Sequence, residues 1–186
     1  MSLRSFALAS LATLALSSAA LAGNTAVVVQ SGGINSSSIS QRGSTNTAVA
    51  VQNGFANSSA ITQRGGVNTA LTGQNGVFNS SAVDQRGGIN SQLTVQRGLV
   101  NDASVFQRGG LNVSGINQRG GFNNATSLQV GGVNLSGVSQ RGFSNTANVG
   151  QIGVINGSYL SQRGPNNFAG VGQLGAFNSS VLRQRP

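Results

Sequence analysis

Gln41-Arg42-Gly43-Ser44-Thr45-Asn46-Thr47-Ala48-Val49-Ala50-Val51-Gln52 is the stretch on which the fold turns, because the chain writes it again and again. Glutamine recurs every 11 residues, at Gln30, Gln41, Gln52, Gln63, Gln74, Gln85, Gln96, Gln107, Gln118, Gln129, Gln140, Gln151, Gln162, Gln173 and Gln184. A glycine lies two residues after each of the first fourteen, from Gly32 to Gly175. An asparagine lies five after them, at Asn35, Asn46, Asn57, Asn68, Asn79, Asn90, Asn101, Asn112, Asn123, Asn134, Asn145, Asn156, Asn167 and Asn178, and Asn24 starts the series. A fixed period held this long marks a repeat architecture and outranks every other signal in the chain.

Within a unit such as Asn57-Ser58-Ser59-Ala60-Ile61-Thr62-Gln63, alternate positions read Asn, a small residue, a mostly aliphatic residue, then Gln. The other set varies freely. Period-2 patterning with β-branched residues predicts a strand whose regular face points inward. The stretch Arg64-Gly65-Gly66-Val67 and its equivalents predict a tight turn, with glycine supplying a positive φ. The residue before each Asn is usually apolar (Ile34, Val67, Phe78, Ile89, Val100, Leu111, Phe122, Val133, Ile155, Phe177), and reads as a plug closing the core at the turn. An 11-residue period also suits a right-handed helical supercoil. A glycine in every unit would cost about 0.8–1 kcal/mol each in a helix, so strand and turn win.

One strand and turn can bury nothing alone, but two units folded face to face make a 22-residue coil. The small position alternates with that period: Ser37, Ala48, Ser59, Ala70, Ser81, then, after an irregularity at Gln92, Ala103, Ser114, Ala125, Ser136, Ala147, Ser158, Ala169, Ser180. The arginines step by 22 as well, in two series: Arg42, Arg64, Arg86, Arg108, and Arg97, Arg119, Arg141, Arg163, Arg185. Coils stacked about 4.8 Å apart set Asn over Asn and Gln over Gln, so that amide ladders satisfy groups whose burial is otherwise costly. The expected fold is all-β: a solenoid of stacked two-strand coils, a cross-β arrangement within one chain. Fifteen strands make about seven and a half coils and a rod of about 35 Å. The number is odd, so a copy added in unbroken register would enter half a coil out of phase.

Composition removes most chemistry. Charged residues are 7%, the acids are Asp84 and Asp102 alone, and Lys, His, Cys and Trp are absent. General acid–base catalysis, zinc ligation and an activated serine all need groups the chain lacks, so an enzyme, a metal centre or a cofactor is not expected. Residues 1–22 read as a secretory signal, with Arg4, the apolar run Phe6–Leu16 and Ala20-Leu21-Ala22 as the cleavage pattern before Gly23. Residues 23–186 then form one repeat domain. The formal charge of +9 sits in the arginine series. Two readings compete: a stripe for anions such as extracellular DNA, lipopolysaccharide or acidic polysaccharide, or gatekeeping of an aggregation-prone chain before assembly.

The unit Gln-x-Gly-x-x-Asn-x-Ala-x-x-x-Gln, matched by Gln41–Gln52, Gln63–Gln74 and Gln140–Gln151, resembles the curlin repeat over residues 24–184. The resemblance implies a subunit of curli, the extracellular functional amyloid fibres of bacterial biofilms. It implies export through the periplasm and a dedicated outer-membrane secretion pore with accessory chaperones. It also implies head-to-tail growth on the cell surface, where a nucleator subunit starts the major subunit polymerising. The basic end Val181–Pro186 resembles the final repeat of nucleators, and both subunit roles stay open. Neither end of the repeat region reads as a cap, and an uncapped edge templates another chain. The alternative is a monomeric secreted binding or adhesive solenoid.

Overall fold

The computed structural model describes residues 13–18 and 23–185. Seven β elements follow one another: β1 Thr13–Ser18, β2 Thr25–Gly32, β3 Ser36–Gly54, β4 Ser58–Gly121, β5 Asn123–Phe143, β6 Thr146–Arg163 and β7 Phe168–Gln184. All pair in parallel, in the order β1-β3-β4-β5-β6-β7, with β2 also on β3. The chain is a β-solenoid of about seven turns. From β2 onward every paired residue matches the residue 22 further on, as in Thr25↔Thr47, Gln41↔Gln63, Asn112↔Asn134 and Gln162↔Gln184. No helix occurs among the described residues.

The strands and bends alternate as expected, and the ladder extends beyond the strands. Pairing continues around most bends: Arg42 pairs with Arg64 and Gly43 with Gly65. β4 therefore runs 64 residues, almost three coils. The physical reason is stacking. An identical bend one coil away offers its carbonyls to the amides of this one, so the bend satisfies its backbone as a strand does. Interruptions occur at some bends that follow odd-numbered units, as at 33–35, 55–57 and 164–167.

The core lies between two faces. Face A holds 25–30 and every second unit after it, ending at 179–184; face B holds 36–41 and its successors, ending at 168–173. Inward residues are small opposite large. Ala48 and Ala50 on face A meet Ser37 and Ile39 on face B, whereas Ile116 and Leu160 are on face A. The bulky side thus changes face part-way along the rod. Two apolar clusters result. One contains Ile39, Ala48, Ala50, Ile61, Ala70 and Val83, with Ala26 and Val28 against it. The other runs from Ala103 and Val105 to Val171, with Leu182 against it. Between them lie the buried polar residues Thr72, Ser81, Gln92 and Thr94. Gln92 donates to Thr94 Oγ1, while its own Oε1 has no partner.

The leading end carries one further strand. β1, drawn from the expected signal segment, pairs with Ser36–Gln41 in a register of 23 rather than 22, Thr13↔Ser36 to Ser18↔Gln41. In the intact chain, part of the leading edge is thus paired. The expected cleavage motif through Ala22 lies outside the described residues. Gly23 is exposed with φ +88°.

The glycine two residues past each Gln takes φ between +103° and +147° at all fourteen positions. At Gly87 an added Cβ would lie 2.1 Å from the Gly109 carbonyl oxygen. Gly73 has nothing within 4 Å and no positive φ. Gly87→Ala is expected to cost upwards of about 3 kcal/mol, from left-handed strain plus backbone collision. Gly73→Ala is expected to lie within about 0.5 kcal/mol of the parent. Denaturant unfolding of the two variants compares them directly, and equal midpoints would contradict the stacking account.

Candidate interaction surfaces

Each glutamine side chain is fixed by the period. It is the last inward position before the bend, and the neighbour above it is another glutamine. Gln41 Nε2 donates to Gln63 Oε1 at 2.8 Å, Gln63 to Gln85 at 2.8 Å and Gln85 to Gln107 at 2.7 Å. The face B ladder continues through Gln129 and Gln151 to Gln173. The face A ladder runs Gln30, Gln52, Gln74, Gln96, Gln118, Gln140, Gln162, Gln184. The second N–H of most glutamines crosses the core to a carbonyl 16 residues back, as from Gln107 to Ser91 at 3.0 Å. Both donors are therefore used, as burial requires.

The asparagines do the same in the opposite sense. Asn46 Nδ2 donates to Asn24 Oδ1 at 2.9 Å, Asn68 to Asn46 at 2.7 Å and Asn90 to Asn68 at 2.7 Å. This file continues through Asn112, Asn134 and Asn156 to Asn178. Its partner on the other face runs from Asn35 through Asn57, Asn79, Asn101, Asn123 and Asn145 to Asn167. The later asparagine donates to the earlier one, whereas the earlier glutamine donates to the later one. The two kinds of ladder oppose their dipoles along the rod. Both sets were recognisable from spacing; their polarity was not.

The plug residues are not in the core. Ile34 is 62% exposed, Phe78 52%, Ile89 54% and Phe177 77%. The core ends are closed instead by asparagine, whose Nδ2 reaches bend carbonyls, as from Asn57 to Asn53 at 3.2 Å and Asn101 to Gly120 at 3.3 Å. With Asn inward, strand alternation turns its predecessor outward. The apolar residues therefore form surface files along the bends, such as Leu111↔Val133, Val133↔Ile155 and Ile155↔Phe177. The aromatic pairs Phe55–Phe78 and Phe122–Phe143 meet edge to face, with centroids 6.1 and 5.0 Å apart.

All nine arginines of the two series are exposed. Arg42, Arg64, Arg86 and Arg108 line one bend edge; Arg97, Arg119, Arg141, Arg163 and Arg185 line the opposite one. Arg42↔Arg64 and Arg119↔Arg141↔Arg163 stack in register, about 4.8 Å apart. The first stripe stops where Arg108 pairs with Val130. Asp84 holds Arg86 through bonds of 3.0 and 2.6 Å, and raises its guanidinium above the ordinary value by hydrogen bonding and then charge. Arg86 also lies 5.9 Å over the Phe106 ring. Among the described residues no cluster of His, Cys, Asp or Glu could hold a metal ion. The chain matches no family model and no curated protein.

Two outcomes test this surface chemistry. Gln107→Ala strips the acceptor from Gln85 and the donor from Gln129, and is expected to cost about 2–5 kcal/mol. Gln184→Ala, at the outermost rung, is expected to cost under half of that; denaturation curves give both. Under the anion-stripe reading, binding of single-stranded DNA weakens steeply with salt. Arg119→Ser with Arg141→Ser then lowers the log–log slope by about 1.4, at about 0.7 for each phosphate no longer neutralised. Salt-insensitive or absent binding leaves the gatekeeper reading.

Proposed function

We propose that this chain is a structural subunit of an extracellular, curli-type fibre that polymerises head to tail, rather than an enzyme. One observation carries the reading: the rod is translationally uniform. Its cross-section, backbone pairing and buried amide ladders repeat every coil, so each end presents the surface that the other end complements. Apart from β1 on Ser36–Gln41, the outermost described strands β2 and β7 are each paired on one side only. Unpaired strand edges of this kind recruit further chains.

The curlin-like unit supports placing such a fibre in a biofilm matrix, with passage through the periplasm and a secretion pore to the cell surface. In that setting the fibre serves adhesion as a fimbrium, and its partners are copies of itself and the companion major subunit or nucleator. The exposed arginine stripes suit contact with extracellular DNA or anionic polysaccharide. The nucleator role is favoured by Arg183 and Arg185 beside the last rung; the major-subunit role is favoured by the unbroken ladders.

Residues 23–186, diluted from denaturant to micromolar concentration, are expected to show lagged, self-seeded thioflavin fluorescence. The product should give a meridional reflection near 4.7–4.8 Å in fibre diffraction. Growth almost without lag would assign the nucleator role. A stable soluble monomer with β circular dichroism would overturn the fibre reading and leave a monomeric binding solenoid.

A further inference from the structure

We propose that successive copies join with a half-turn: face A of the incoming copy continues face B of the preceding one, and its face B continues face A. This rests on the fibre reading and specifies the interface within it. Strand 179–184 of one copy would stack on Ser36–Gln41 of the next, and strand 168–173 on Thr25–Gln30.

Two independent features select this register, and a third fixes its head-to-tail direction. The first is strand number. Leaving β1 aside, the repeat places eight strands on face A, from 25–30 to 179–184, and seven on face B, from 36–41 to 168–173. A half-turn fills both free edges at once. Joining face A to face A would seat 25–30 on 179–184 and leave one rung missing on face B, with a strand edge unpaired on each side of the gap.

The second is core shape. At the end of the rod the face A column reads Ile116, Val138, Leu160, Leu182, and face B reads Val105, Ser127, Val149, Val171. At its start the face B column reads Ile39, Ile61, Val83, and face A reads Val28, Ala50, Thr72. A half-turn sets bulky on bulky and lesser on lesser. It also runs Ser158, Ser180 into Ser37, Ser59 and Ala147, Ala169 into Ala26, Ala48. The two apolar clusters of one chain are separated at Gln92 and Thr94. Across the proposed junction the later cluster of one copy and the earlier cluster of the next become one. The change of bulky face within each chain is what a half-turn at each junction requires to return the pattern to phase.

The third is the polarity of the ladders. At the trailing end Gln173 and Gln184 donate to Gly157 and Phe168 carbonyls and have a second N–H directed along the ladder. At the leading end Gln30 and Gln41 donate to the next coil, which leaves Oε1 as the acceptor facing outward. The asparagines are reversed: Asn167 and Asn178 end as acceptors, and Asn24 and Asn35 begin as donors. Head meets tail with all four amide files matched, whereas head to head sets Gln acceptor against acceptor. The junction also sets Arg42 next after Arg185. Arg97–Arg185 of one copy and Arg42–Arg108 of the next then form one stripe of nine across every joint. β1 occupies Ser36–Gln41 in the intact chain, so β1 and a second copy exclude one another there.

Residues 23–186, the span used in the fibre test, serve here too, and the chain has no cysteine to interfere. Val181 and Ser38 are both exposed at the outward middle of their strands. A half-turn stacks them in adjacent copies; a face A to face A joint stacks Val181 on Val27 instead. Fibres grown from equal mixtures of Val181→Cys and Ser38→Cys chains, or of Val181→Cys and Val27→Cys chains, are treated with a short thiol-bridging reagent. The expected result is covalent dimer at least about tenfold more abundant in the first mixture, since only stacked neighbours about 4.8 Å apart are bridged. Dimer in the second mixture, or fibres with dimer in neither, overturns the half-turn and leaves the fibre reading standing. Failure of the unsubstituted chain to form fibres overturns both.

Discussion

A buried primary amide has two donors and an acceptor that water no longer serves; here the same amide one coil away serves one donor and the acceptor, and a carbonyl across the core takes the second donor of most glutamines. The Gln and Asn ladders therefore impose the period on everything else. If Gln63 slipped by one residue against Gln41, it would lose its partner and turn its whole strand inside out. The register of 22 is held by that penalty at each rung. Strands, bends and the apolar interior are arranged around it, and the glycine after each Gln is the backbone's accommodation to it. At each of these glycines with a described coil stacked beneath it, the carbonyl of the next coil lies under 2.3 Å from where a Cβ would sit, so none fits.

This division of labour explains why the apolar core can be so modest. Ala48, Ala50 and Ser37 fill positions where a globular domain would place leucine, because the inward Asn and Gln of every strand take up much of the interior and are satisfied within it. Uniformity along the rod is the mechanical consequence, and the proposed head-to-tail growth rests on it: a coil with no coil beside it carries amides that an identical coil would satisfy. The same regularity aligns arginines at strand spacing on the surface, a charge density that globular surfaces seldom sustain. Their repulsion is tempered by exposure and screening, and once by Asp84.

The interior is not uniform in one respect. The bulky residue changes face between Val83 and Ile116, and the polar layer at Gln92 and Thr94 marks the change. Within one chain this is a flaw, with an orphaned Gln92 oxygen and a divided core. Across copies joined by the proposed half-turn it would become a correction of phase, and a local cost within the chain and a benefit at the junction would then have one cause.

Order along the chain was enough to dictate the repeat, the strand and bend positions, the 22-residue coil and the identity of the ladder residues, because each depends on spacing. Gln30 to Gln184 and the glycines behind them could be read without coordinates. Whatever depends on neighbours came only with the folded rod. Folding sent Ile34, Phe78 and Phe177 to the surface, since asparagine already closes the core where plugs were expected. It carried pairing through the bends, since only a stacked coil can satisfy a bend amide. It placed β1 on Ser36–Gln41, set Thr72 against Ser81 across the core, and gave the Gln and Asn ladders opposite senses. An amide written in a sequence has no direction; its direction comes from which neighbour's oxygen it meets.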